Sequence, residues 1–200
     1  MKTLIIYNHP HEGSFCSAIR DAVQTGLDTG GHSYKLINLD ADGFDPVMRE
    51  KDLEAFVQSS RNDGKGIEGI DPLVRMYADK MRWAERIVMI FPIWWMTMPA
   101  MTKGFIDKVI FPGVAYEMDG YKLKSRLDSL EKVTIITTMN TPADVYKEGF
   151  GNSIENSLIK GTFHQIGIKN VEWLSLNKVK QTSQEQRHEW LELVSDICSA

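Results

Sequence analysis

Two adjacent tryptophans stand between two prolines in Phe91-Pro92-Ile93-Trp94-Trp95-Met96-Thr97-Met98-Pro99, just after an apolar run. Indole faces suit offset stacking on a flat ring, worth about 0.5–1.5 kcal/mol beyond area burial. Backbone groups freed near Pro92 and Ile93 suit the polar edge of such a ring. Core packing of both indoles is the structural alternative, but neighbours on an extended chain point to opposite sides. Met96, Met98 and Met101 read as adaptable packing, with Met96 also placed to line a substrate slot.

A second group is His9-Pro10-His11-Glu12-Gly13-Ser14-Phe15-Cys16-Ser17. It joins an apolar run to a helix start, where unpaired amides and the helix dipole attract phosphate. Ser14 and Ser17 add hydroxyls, and His9 can donate a ring N–H. The alternative is an ordinary turn with Ser14 as N-cap. Cys16 reads as a small packing residue, although a helix start lowers a thiol pKa. A third group is Thr137-Thr138-Met139-Asn140-Thr141-Pro142, with Tyr146 a few residues on. It offers hydroxyls and amides to a polar ligand edge, and Tyr146 a phenol to a substrate or cofactor oxygen. A plain turn at Thr141-Pro142 with an exposed tyrosine is the alternative.

The elements that carry these groups alternate short apolar runs with helical periods. Strands are expected over Leu4–Tyr7, Tyr34–Leu39, Ile87–Phe91, Val133–Thr138 and Val171–Leu176. Helices are expected over Ser14–Leu27, Lys51–Gln58, Asp71–Trp83, Pro99–Val109 and Ser153–Ile166, with a last one opened by a capping box at Thr182-Ser183-Gln184-Glu185. Phe111–Arg126 is expected as a loop. This alternation predicts an α/β fold, a flavodoxin-like doubly wound sheet in the order 2-1-3-4-5 with helices on both faces. Ligands of such sheets sit at the carboxyl ends of the strands where the order reverses, which are the loops singled out above.

The 200 residues show no linker-like composition shift and read as one domain spanning 1–200. With 23 basic and 27 acidic residues the net charge is -4, which argues against nucleic acid or an anionic membrane as partner. No apolar run has the length of a membrane span. Cys16 and Cys198 lack metal or redox spacing, which fits a cytoplasmic location. Gly64-Lys65-Gly66-Ile67-Glu68-Gly69 matches a dinucleotide fingerprint as a string, but no strand precedes it. Asp40, Asp42 and Asp45 match calcium-loop spacing only loosely, with no terminal glutamate.

Together the three groups resemble the flavodoxin-like NAD(P)H:quinone oxidoreductases, the DT-diaphorase and modulator-of-drug-activity type. The resemblance is carried by His9-Pro10 with Ser14-Phe15, by Phe91–Trp95 through Pro99-Ala100, Lys103-Gly104 and Asp107-Lys108-Val109, by Phe111–Tyr116, and by Thr137-Thr138. It implies FAD, or FMN in some members, with NAD(P)H as co-substrate. By that resemblance His9, Ser14, Phe15 and Cys16 meet the flavin phosphates, Pro92, Ile93, Trp94 and Trp95 lie along the ring, and Thr137, Thr138, Met139 and Asn140 meet its polar edge. Trp95, Met96 and Tyr146 border the slot for nicotinamide and quinone, and Tyr146 is the expected catalytic residue. A homodimer is implied.

Departures from the family are Met139-Asn140 in place of two glycines, Cys16 in place of asparagine, and no histidine after Tyr146. The expected activity is two-electron hydride transfer from NAD(P)H through flavin to a quinone or related small aromatic acceptor, with ping-pong kinetics. Azo- or nitro-reduction on the same flavin, or a non-catalytic flavin-binding regulatory or electron-carrier role, are the alternatives. The Phe111–Arg126 loop is expected to cover an adenosine half, which favours FAD. Lys65 and Arg126 are candidates for a 2'-phosphate of NADPH.

Overall fold

The computed structural model describes residues 1–61 and 69–200. Its element order is β1 (Lys2–Tyr7), α1 (Phe15–Thr29), β2 (Ser33–Asn38), α2 (Glu50–Arg61), α3 (Pro72–Trp83), β3 (Arg86–Pro92), α4 (Ala100–Val109), β4 (Tyr116–Asp119), β5 (Lys122–Ser125), β6 (Lys132–Thr138), β7 (Val171–Leu176) and α5 (Gln184–Ser199). Two π-helical stretches, Val145–Gly149 and Ile154–His164, lie between β6 and β7.

Among the described residues, five parallel strands form one sheet in the order β2-β1-β3-β6-β7. Counted within the sheet, this is the expected 2-1-3-4-5 order. The strands read as their positions require. β3 is central and buried at all seven residues, whereas the edge strand β2 is exposed or half-buried at every residue but Ile37. Side chains alternate across the sheet. Leu4 and Ile6 of β1 join one core with α3, α4 and Ile154–His164; Ile5 and Tyr7 join the other with α1 and α5.

Local signals explain the helix starts. Ser14 Oγ accepts the Ser17 N–H, and Asp71 accepts the Leu73 N–H with Pro72 at the first helical position. The last helix starts one residue later than the expected box. Ser183 is the N-cap and accepts the Gln186 N–H, while the Gln186 side chain turns to Glu189. Two further expectations change. Phe111–Arg126 contains the antiparallel hairpin β4–β5, turned at Gly120 with φ 62°. The expected helix from Ser153 is wound as a π-helix.

Part of the family-like Trp-Trp segment is explained by packing. A Cβ on Gly104 would lie 2.4 Å from Pro46, so only glycine lets α4 and that loop touch. Lys108 pairs with Asp52 at 3.2 Å, both side chains buried, and also donates to the carbonyls of Asp45 and Val47. Breaking such a pair by removing one partner costs about 3–5 kcal/mol. Asp40, Asp42 and Asp45 turn to separate partners, Asn8, Tyr77 and Arg49. All of Gly64–Gly69 except Gly69 falls outside the described residues, and so does Lys65.

Gly104→Ala is expected to destabilise the fold by about 1–3 kcal/mol through overpacking. At roughly 2–4 °C per kcal/mol for a chain of this size, a thermal melt should resolve it. An unchanged melting temperature would show that the loop at Pro46 yields freely.

Candidate functional site

At the carboxyl ends of β1, β3 and β6 the three loops close on one cleft of about 240 Å³. His9, Phe15, Cys16, Pro92, Ile93 and Trp94 line it from the first two loops, and Thr138, Met139 and Asn140 from the third. Val179 and Lys180, after β7, complete the wall. These two were missed because the strand-order rule points to the ends of the inner strands only.

The backbone between β1 and α1 is tied down by Asn8. Its N–H donates to the Ile90 carbonyl at 3.0 Å, and its amide donates to Asp40 at 2.6 Å and accepts from Thr102 at 2.9 Å. One side chain thus joins β1, the loop after β2 and the start of α4. In the first turn of α1, Ser14 takes the Ser17 amide, while those of Phe15 and Cys16 have no acceptor within the helix. His9 lies beside them, edge-on to Trp94 with ring centroids 6.1 Å apart. The His11 N–H donates to His9 Nδ1 at 3.1 Å, so neutral His9 carries its proton on Nε2. Burial lowers the His9 pKa from 6.5, against the opposing pull of Asp40. His9 is therefore a neutral donor at pH 7.

Cys16 departs from the helix-start argument. Burial pushes its thiol up to about 11, against the opposing effect of a 3.2 Å hydrogen bond with Thr138 Oγ1. Thr137 also differs from the expectation. Its hydroxyl accepts from Trp173 Nε1 at 2.9 Å and the residue is fully buried, on the side of the sheet away from Cys16. Met139 joins its N–H to the Leu176 carbonyl and its carbonyl to the Val179 N–H, and Asn140 Oδ1 accepts the Lys180 N–H. The pair that replaces two glycines thus ties the third loop to the one after β7.

The tryptophans part company. The chain is not extended there. Trp94 and Thr97 exchange both backbone hydrogen bonds, closing a two-residue turn with φ 47° at Trp95 and 63° at Met96. Left-handed non-glycine residues cost about 1–3 kcal/mol each. Trp94 walls the cleft, whereas Trp95 is 96% exposed and outside it.

Tyr146 requires the largest correction. It is 1% exposed, and its hydroxyl donates to the Met96 carbonyl, accepts the Ile154 N–H and lies 2.9 Å from Ser153 Oγ. Its phenol is not among the groups that line the cleft. The sequence offered only its distance from β6, which does not say where the ring points.

A second groove of about 310 Å³ shares Phe15 with the cleft and is lined by Gly13, Ala18, Gln184, Arg187, His188 and Leu191. Arg187 donates to the Val179 carbonyl at 2.7 Å and lies 5.9 Å from the Phe15 ring centre. The β4–β5 hairpin does not reach this groove. Tyr116 and Leu123 pack on the core of the opposite sheet face. Arg126, just after β5, lies 3.8 Å from Glu117.

A doubly wound parallel sheet with a cleft at its switch point and a helix N-terminus opening into that cleft is the architecture of a flavodoxin-like protein. The comparison with known families agrees. A family model described as a flavodoxin-like fold matches residues 1–194, and the chain belongs to that family. An uncharacterized NAD(P)H oxidoreductase of Haemophilus influenzae is 28% identical over 100% of this chain and 95% of its own length. The human ribosyldihydronicotinamide dehydrogenase [quinone] is 25% identical over 84% of this chain and 78% of its own. Among solved structures, Smu.1420 from Streptococcus mutans superposes with a TM-score of 0.84 at 31% identity, covering 100% of this chain and 99% of that one.

Both thiols are buried and both pKa values are raised by that burial. Cys16 and Cys198 are therefore expected to stay unreactive toward a disulfide reagent at pH 8 in the folded protein and to react at once in denaturant. Rapid native reaction of Cys16 would restore the helix-start argument.

Proposed function

We propose that this chain is a flavin-dependent NAD(P)H:quinone oxidoreductase whose acceptor is a quinone or a related small aromatic compound. The observation that carries this reading is one cleft that combines a helix N-terminus, an indole wall and a polar strand end. The matching relatives named as NAD(P)H oxidoreductases and quinone dehydrogenases support it.

The donor set suits a flavin. The amides of Phe15 and Cys16 and the Nε2–H of His9 suit its phosphate. Trp94 offers a face to its ring system, with Pro92 and Ile93 beside it, and Thr138, Met139 and Asn140 border its polar edge. Ser14 contributes through the cap that shapes the helix start. A bound flavin supplies reversible hydride transfer, which no side chain of the chain provides. The protein's own part is to orient rings, to exclude water with Trp94 and Met139, and to hold the phosphate end. With the Tyr146 hydroxyl committed to Met96, the acceptor's proton comes from solvent.

FAD is the preferred flavin in this reading. The second groove meets the first at Phe15 and gives an adenosine half a place along Arg187 and Leu191. The β4–β5 hairpin, packed on the opposite sheet face, offers the adenosine half no cover. A homodimer in the cytoplasm remains part of the proposal. Trp95, Met118, Tyr121 and Phe150 are large exposed side chains that a second copy would cover.

The direct test is the absorption spectrum of the purified protein and the flavin released on heating. A yellow protein that releases FAD is expected; a colourless one that takes up neither FAD nor FMN refutes the reading. Arg187→Ala should weaken FAD about tenfold more than it weakens FMN, in line with loss of a charged hydrogen-bond donor. Equal affinity of the parent for both flavins would leave the second groove without a role. Initial-rate plots against NAD(P)H and menadione should be parallel, because donor and acceptor share one cleft; intersecting lines would separate their sites. Faster turnover of an azo dye or a nitroaromatic than of menadione would reassign the acceptor.

His9 gives a separate test. His9→Gln keeps an N–H near the Nε2 position and should hold flavin affinity within a few-fold at pH 7.5, whereas His9→Ala should lose about tenfold. Because burial holds the His9 pKa down, the parent's affinity should be flat above neutrality and rise only in acid, as His9 becomes cationic beside the phosphate. Loss of affinity on acidification over the same range would place His9 elsewhere.

A further inference from the structure

Two side-chain hydroxyls converge on one backbone carbonyl beside the cleft. The Met96 carbonyl accepts from Tyr146 Oη at 3.0 Å and from Ser153 Oγ. The hydroxyls are 2.9 Å apart, and Tyr146 Oη accepts the Ile154 N–H at 3.1 Å. The proton count closes. Each hydroxyl has one proton to give, the carbonyl has two lone pairs, and the phenol oxygen keeps a lone pair for the amide.

The carbonyl belongs to the turn with φ 47° at Trp95 and 63° at Met96. Two-residue turns with both central φ values positive favour Asn-Gly, and neither tryptophan nor methionine prefers that conformation. Local sequence therefore does not account for the turn, and tertiary contacts must hold it. The other side of the contact is rigid. The Tyr146 ring meets Trp173 edge-on at 5.9 Å, and Trp173 Nε1 donates to Thr137 Oγ1 on β6 at 2.9 Å. Ser153 is itself set in a constrained stretch, since Asn152 before it has φ 50° and Gly151 φ 73°.

We infer that Tyr146 and Ser153 form a clamp on the Met96 carbonyl that holds the Trp95-Met96 turn in its left-handed conformation and so places Trp94 in the cleft wall. Both are positioning residues, and neither delivers a proton to the cleft. That the clamp holds the turn stands on the geometry alone. That it tunes ligand affinity rests on the proposed function.

The test uses the double variant Tyr146→Phe/Ser153→Ala, with and without Met96→Gly. Glycine takes positive φ without steric penalty, so Met96→Gly relieves one of the two strained positions and lowers the turn's need for outside support. The ligand-free proteins are labelled with 5-fluorotryptophan and followed by fluorine NMR, with signals assigned from single Trp→Phe variants. In the double variant the Trp94 and Trp95 signals should shift or broaden while those of Trp83 and Trp190 stay in place. Adding Met96→Gly should return them. Titration with FMN and with FAD should show roughly tenfold weaker binding in the double variant, the scale of one or two lost hydrogen bonds, and recovery with glycine.

Unmoved Trp94 and Trp95 signals in the folded double variant overturn the clamp, and so does a shift that glycine does not reverse. Loss of a merely structural tyrosine would not be repaired by glycine at position 96. If the double variant does not fold, Ser153→Ala and Ser153→Thr decide instead. The first should move the Trp95 signal and the second, which keeps the hydroxyl, should not; the same response from both overturns the clamp. A parent protein that binds neither flavin removes the proposed function, while the NMR comparison still decides the clamp.

Discussion

Burial of β3 on both faces is the constraint around which the rest of the chain is arranged. A strand with no solvent on either side must satisfy every backbone group by pairing, because an unpaired buried amide or carbonyl costs about 1–3 kcal/mol. β3 pairs with β6 on one side along its whole length and with β1 on the other over Arg86–Ile90. The Ile93 N–H carries the pairing past the end of β3 to the Thr138 carbonyl at 2.8 Å, and the Asn8 N–H, just past the end of β1, takes the Ile90 carbonyl. Three loops distant in the chain are thereby held at one sheet end. The cleft is the space their side chains leave, so its position follows from the strand ladder.

What fills that space differs from loop to loop in how it is held. The first loop is fixed by polar side chains, with Asn8 joining Asp40 to Thr102 and Ser14 capping α1. The third is fixed by backbone bonds from Met139 to both sides of the loop after β7. The second is fixed against its own preference, in a turn that neither of its central residues favours. Sites that carry strain of this kind depend on surrounding contacts that over-determine the backbone. The buried Tyr146 hydroxyl, which has the look of a reactive group in the sequence, belongs to those contacts.

Several residues that draw attention in the sequence answer to packing instead. Gly104 is required by Pro46, Lys108 by Asp52, and Thr137 by Trp173. A motif shared with a family therefore mixes groups that would face a ligand with groups that hold the helix behind it. Burial and partner sort them: Trp94, His9 and Phe15 keep surface toward the cleft, while Lys108 and Thr137 have none to offer.

The order and positions of the five sheet strands and most helix starts were legible in the sequence, because they depend on local periodicity, on caps such as Ser14 and Asp71, and on the right-handed crossover that parallel strands impose. So was the approximate location of the cleft, which follows from strand order alone. Side-chain direction was not. Whether Trp95 faces a ligand or water depends on a φ of 47° that tryptophan does not announce, and whether Tyr146 is a donor to the cleft depends on Met96 and Ser153, which only folding brings to it. The hairpin at Tyr116–Ser125 packs on the far sheet face for the same reason. Periodicity encodes where an element lies; contacts between elements far apart in the chain decide which way its side chains point.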